Sequence, residues 1–148
     1  MAAFRKIDIR YWQDGYILSI TYKEKCFYIY LMTNSKTAQC GIFELPKKII
    51  EVELGLDKDD IELLLKKFIN DKKILYSEGT NEIMIINWIK YNGSMSPKVI
   101  ERVISELKSV KNKEFVEKYL DLSNALGYKI NRAMVIDDTS VDTEQKKN

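Results

Sequence analysis

LPKKIIEVELGLDKDDIELLLKKFINDKKILYSEGTNEIMII, residues 45–86, is the stretch whose punctuation decides the fold. Pro46 suits the first turn of a helix, where its missing N–H costs nothing. That helix should run to about Leu54 and stop at Gly55, a residue free to adopt the left-handed conformation of a C-cap. Asp57 is placed to cap a second helix, in which Ile61, Leu64, Leu65 and Phe68 recur at i, i+3, i+4 and i+7. This helix should end near Asp71. Two short apolar runs, Ile74–Tyr76 and Ile83–Ile86, then flank Ser77–Asn81, a cluster of turn residues that signals a hairpin. Helix, tight turn, helix, hairpin is the order of a winged helix-turn-helix.

Toward the N-terminus, Gly41–Leu45 reads as a brief extended segment. Thr21-Tyr-Lys-Glu24 is a capping box that opens a helix to about Met32, with Tyr22, Cys26, Ile29 and Tyr30 along one face and Asn34-Ser35 at its end. Asp14-Gly15 predicts a turn, and the polar–apolar alternation of Lys6–Tyr11 predicts a short strand. Toward the C-terminus, Asn92-Gly93 breaks the chain and Ser96-Pro97 starts a helix with the apolar stripe Ile100, Val103, Ile104, Leu107 and Val110. Lys111-Asn-Lys113 interrupts it. A shorter amphipathic piece carries Phe115, Val116, Tyr119 and Leu120 on one side. The fold expected is therefore α+β: a winged helix-turn-helix (a three-helix bundle with a β-hairpin wing) with an N-terminal strand and a C-terminal helical extension. Residues 1–92 form the winged-helix domain and 93–122 the extension. Residues 123–148 are expected to be a largely disordered tail or the start of a linker, with almost no apolar content from Asp137 onward.

Apolar residues make up 45% of the 148 and charged residues 31%, a globular balance that argues against wholesale disorder. No apolar run approaches the roughly 20 residues that span a bilayer, and the N-terminus lacks a signal-peptide core; a cytoplasmic protein is expected. There is no histidine, so the commonest acid/base at neutral pH and the commonest metal ligand are both missing. The two cysteines, Cys26 and Cys40, are too few for a thiolate zinc site and are read as reduced, Cys26 as a small core residue. No phosphate-binding glycine loop or nucleophile elbow occurs. Asp59 and Asp60 are adjacent on a helix and point apart. A non-enzymatic protein without metal or cofactor follows as the expectation.

The segment Tyr28–Leu45, with Thr33-Asn34 and Gln39-Cys-Gly-Ile42, resembles the N-terminal domain of phage replisome organiser proteins, relatives of the DnaD primosomal proteins of Gram-positive bacteria. The likeness continues through Gly55-Leu-Asp57, Lys72-Lys-Ile-Leu-Tyr76, Asn87-Trp-Ile-Lys-Tyr-Asn92 and Ser96-Pro-Lys-Val99, and so covers most of residues 1–120. It implies replication initiation by a scaffold that oligomerises, binds origin DNA and helps recruit the replicative helicase and its loader. In that family a second, DnaD-type domain follows a linker and carries much of the DNA binding. The sequence stops where that linker would begin, which implies an N-terminal fragment or a shortened member.

Net charge is only +2, so any nucleic-acid contact must rest on local patches. Burying Ile61, Leu64, Leu65 and Phe68 turns Asp59, Leu63, Lys66 and Asn70 to the opposite face of their helix. A reading helix leads into the groove with its N-terminal residues; here these are Asp57, Asp59, Asp60 and Glu62, which suit the helix dipole but repel phosphate. Candidate DNA contacts are Lys66, Lys67 and Asn70, with Lys47 and Lys48, Lys72 and Lys73, and Lys108, Lys111 and Lys113. These clusters either bind phosphates without sequence preference or form solvated faces balanced by nearby carboxylates. Leu63 is either a harmless exposed leucine or is covered by another protomer or by the C-terminal helix. The aromatic-rich N-terminus either stacks on single-stranded bases or builds the core and a self-association surface. Ile7, Ile9, Tyr11 and Trp12 are interface candidates, with the strand edge pairing to a symmetry mate. The partners expected are a second copy or more of this chain, weakly bound DNA, and a helicase or its loader. A winged-helix transcriptional regulator and a pure protein-interaction scaffold are the alternatives.

Overall fold

The computed structural model describes residues 3–128 and 130–136. It is an α+β structure of eight helices and one three-stranded antiparallel sheet among these residues: α1 Gly15–Ser19, α2 Tyr22–Thr33, β1 Ile42–Glu44, α3 Lys47–Leu54, α4 Lys58–Asn70, β2 Ile74–Ser77, β3 Glu82–Ile85, α5 Trp88–Asn92, α6 Pro97–Ser109, α7 Lys113–Ala125 and α8 Arg132–Val135. The elements between residues 45 and 86 start and stop where their punctuation places them. Gly55 holds φ +66° at the end of α3, and the Asp57 carboxylate accepts the Asp60 N–H at 2.8 Å. Both halves of the Thr21–Glu24 capping box form at the start of α2.

The strand order is β1-β3-β2, which makes β3 central. Its register sets Met84 between Ile42 and Leu75 on one face, and Ile83 between Phe43 and Tyr76 on the other. The second row joins a core built from α2, α3 and α4, centred on Phe27, Leu31, Ile50, Leu65 and Phe68. The first row joins a separate core with Val103 and Leu107 of α6, Val116 and Leu120 of α7, and Cys40. The sheet is thus a partition with helices on both sides, and every residue of β3 is buried.

Two carboxylates fasten the C-terminal helices to this partition. Glu82, 5% exposed, accepts the backbone N–H groups of Lys111 (2.9 Å) and Asn112 (2.8 Å), just before α7 begins. Glu106 of α6 accepts those of Gln39 (3.1 Å) and Cys40 (2.9 Å), in the loop leading to β1. Backbone donors removed from part of their water need partners, and these four find theirs in carboxylates across the interface.

Several expectations need correcting. Lys6–Tyr11 is not a strand. The Asp8 carboxylate caps the Arg10 N–H at 2.8 Å and starts a 3₁₀ turn at Ile9–Gln13, and Asp14 then caps α1. Such local side-chain bonds compete with extended backbone. Cys26 is exposed, and Cys40 is the buried thiol. The buried face of α2 is Phe27, Tyr28 and Leu31, while Tyr22 is 82% exposed. Ser96 does not cap α6 with its side chain, although Pro97 opens it. Parts of the expected tail are packed: α7 runs to Ala125, and Ile130 and Val135 enter the second core. The expectation of disorder for 137–148 lies outside the described residues. No described helix is long and apolar enough to cross a membrane.

Candidate nucleic-acid and protein interfaces

The outward stripe of α4 is as its spacing demands, with Asp59, Leu63, Lys66 and Asn70 all exposed. Charge divides along it. In the N-terminal half, Asp60 pairs with Lys23 (3.2 Å) and Glu62 with Lys47 (2.6 Å), leaving Asp59 with no ion pair among the described residues. In the C-terminal half, Lys67 pairs with Asp71 (3.1 Å) and Lys66 with no carboxylate among the described residues. Leu63, between the two, is 68% exposed. The C-terminal helices do not cover it, because they lie against the far face of the sheet.

The turn leaving α4 gathers more positive charge. Lys72 holds φ +60° and is exposed. Lys73 is folded over the Tyr16 ring, 4.4 Å from its centroid. Tyr16 in turn donates to Asp71 at 2.7 Å, and this hydrogen bond, with Lys67, holds the Asp71 carboxyl below its usual range. Lys66, Lys67, Asn70, Lys72 and Lys73 are therefore brought together at one end of α4, with Lys66 and Lys72 the least encumbered.

The other candidate lysines are dispersed or committed. Lys47 bridges Glu62 and Glu78, 2.6 Å from each, and lies 5.2 Å from the Tyr76 ring centroid. Burial opposes its charge, but the hydrogen bonds to Glu62 and Glu78 more than offset that, and its pKa is raised. It is thereby spoken for, whereas Lys48 stays 82% exposed, 3.7 Å from Glu51. Lys108, Lys111 and Lys113 lie on the opposite side of the sheet from α4. Lys111 sits 3.8 Å from Glu44, and the Lys113 ammonium donates to the Val110 carbonyl at 2.6 Å. One continuous basic surface does not form.

The N-terminal interface candidates also separate. Ile7 is half-buried, and Tyr11 packs on the first core, donating to the Lys25 carbonyl at 2.9 Å. Ile9 (87%) and Trp12 (53%) are exposed, together with Phe4 (75%). The strap that carries them is anchored by Arg5, which donates to the Thr37 hydroxyl (2.9 Å) and carbonyl (3.0 Å). With no strand here, edge pairing to a symmetry mate is lost, and only these apolar side chains remain as a contact surface. Sequence reasoning missed Arg5, Glu82 and Glu106. Among the described residues no group of three or more side chains could hold a metal ion. Comparison with protein-family models, curated proteins and solved structures finds no match to this chain.

Proposed function

We propose that residues 1–92 are a winged helix-turn-helix domain and that the chain is a replication-initiation module of the replisome-organiser, DnaD-like kind. On this reading it acts by self-association and by weak, sequence-blind DNA binding, and so helps to recruit the replicative helicase or its loader. The order α3, left-handed Gly55, α4, hairpin supports the domain assignment. The resemblance of residues 28–99 supports the role.

The observation that carries the binding mode is the polarity of α4. Its leading end presents Asp59 and Glu62, and Lys47, which reaches Glu78 in the hairpin turn, is bound to carboxylates. Base-specific reading by this helix has no support there. The trailing end presents Lys66 and Lys72, which suit phosphate contacts that position without specifying. Titrating the 148-residue chain with short duplexes of unrelated sequence across a salt series, beside light scattering for mass, tests the reading. It expects an oligomer and weak binding that falls steeply with salt. Tight binding to one sequence at physiological salt would replace it with a regulator, and an oligomer without DNA affinity at low salt would leave a scaffold.

A further inference from the structure

We infer that the exposed face of α4 pairs with the same face of a second copy of this chain, antiparallel, about a two-fold axis near Leu63. The inference rests on the self-association in the reading above and names its surface. Leu63 is a large apolar side chain, 68% exposed, in the middle of an otherwise polar helix face. On the same stripe, Asp59 lies four residues before it and Lys66 three residues after, and neither has an ion-pair partner among the described residues. At 1.5 Å rise per residue these charges sit about 6 Å and about 4.5 Å from Leu63 along the axis, on opposite sides.

A two-fold axis there sets Leu63 against Leu63 and lays Asp59 of each copy over Lys66 of the other, because in an isologous contact residue i meets j and j meets i. The long lysine side chain absorbs the difference of about one residue rise. Parallel pairing would oppose acid to acid and base to base, so the charges select the antiparallel arrangement. A phosphate backbone laid along the whole stripe would gain Lys66 but meet Asp59, whereas a second copy satisfies both. One helix face is small beside the roughly 1,600 Å² of a standard interface, so the dimer should dissociate on dilution.

The test is sedimentation velocity on the full chain over a range of concentrations, for the parent, Asp59→Lys, Lys66→Asp and the double variant, with circular dichroism as a check of folding. Each single exchange opposes like charges and is expected to weaken self-association about tenfold; the double exchange restores complementarity and should recover it. Loss in the single variants with recovery in the double supports the pairing. Equal association in all four chains overturns it while leaving self-association through another surface. Loss without recovery in the double variant also overturns it. A monomer at every concentration overturns both this pairing and the self-association half of the proposed function, and leaves DNA binding to be judged by the salt series.

Discussion

Gly41 lies against the Trp88 indole so closely that a Cβ on it would fall 2.5 Å from Trp88 Cγ, and its backbone holds φ +76°. The Trp88 ring is fixed in turn by donating its N–H to the Gln39 carbonyl at 2.8 Å and by Arg5, 5.7 Å from its centroid. Space and backbone conformation therefore both demand glycine at the position just before β1. Gly41→Ala should lower the free energy of unfolding by about 2–4 kcal/mol, the sum of a left-handed penalty and overpacking. Chemical denaturation would read it. Gly55, which also has positive φ but open space around it, should tolerate alanine better, with only the backbone penalty of ~1–2 kcal/mol.

The Glu82 clamp makes a second prediction. Glu82→Ala strips the partner from two backbone N–H groups, those of Lys111 and Asn112. Both bonds are half-buried and water can partly replace the lost carboxylate, so a loss of about 1–3 kcal/mol in all is expected. Glu82→Gln should recover about half of that loss, because its amide oxygen can still accept one of the two N–H groups while its NH2 turns a donor toward the other. Hydrogen exchange should accelerate first in α7, ahead of α4 on the other side of the sheet.

The two thiols should behave differently. Cys26 is exposed and should be alkylated in the native protein, whereas Cys40, 1% exposed and donating to the Ile42 carbonyl at 3.4 Å, should react only when the chain opens. Mass spectrometry after brief labelling, with and without denaturant, distinguishes them.

Burial also fixes a pH dependence. It pushes the Cys40 thiol up to about 12 from 9.0, and the Tyr11 and Tyr76 hydroxyls up to about 12 from 10.0. Above pH 9 the unfolded chain releases protons that the native chain keeps, so the stability these groups contribute is fully present below pH 9. It is lost as pH rises toward 12. Denaturant midpoints measured across that window should fall steadily; a flat profile would contradict the burial of these groups.

For DNA, the basic end of α4 and its following turn should matter and the committed lysine should not. Lys72→Ala should weaken binding to all sequences alike and reduce the salt slope by ~0.9 for each phosphate no longer neutralised, and Lys66→Ala should do the same only at dilutions where no second copy holds Lys66. Lys47→Ala, which releases Glu62 and Glu78, should leave the slope unchanged. A titration series at several salt concentrations separates the two outcomes.

Much of this structure could be read where periodicity and capping agree. The stripe Ile61, Leu64, Leu65, Phe68 orients α4 without ambiguity, and Pro46, Gly55 and Asp57 mark its neighbour's limits. In α2 the run from Cys26 to Met32 is apolar on every side, so no face stands out, and the burial of Phe27, Tyr28 and Leu31 is settled only by what packs on it. The N-terminal alternation misled because Asp8 satisfies backbone donors locally. Glu82 and Glu106 were illegible for a different reason: their partners are backbone N–H groups 29–30 and 66–67 residues away. One overlooked signal was available. Ile83-Met-Ile-Ile86 is continuous rather than alternating, which is how a strand covered on both faces reads. The candidate site divided similarly, since helical spacing foretold the exposure of Lys66 but nothing foretold that Lys47 would be held by Glu62 and Glu78.

The central position of β3 bears on how the chain is born. The ribosome finishes that strand about 35 residues before it reaches Leu120, so at ~5–20 residues/s the face bearing Ile42 and Met84 waits roughly 2–7 s for α6 and α7 to cover it. During those seconds the nascent polypeptide carries an uncovered apolar plane, so slower translation lengthens its exposure to aggregation.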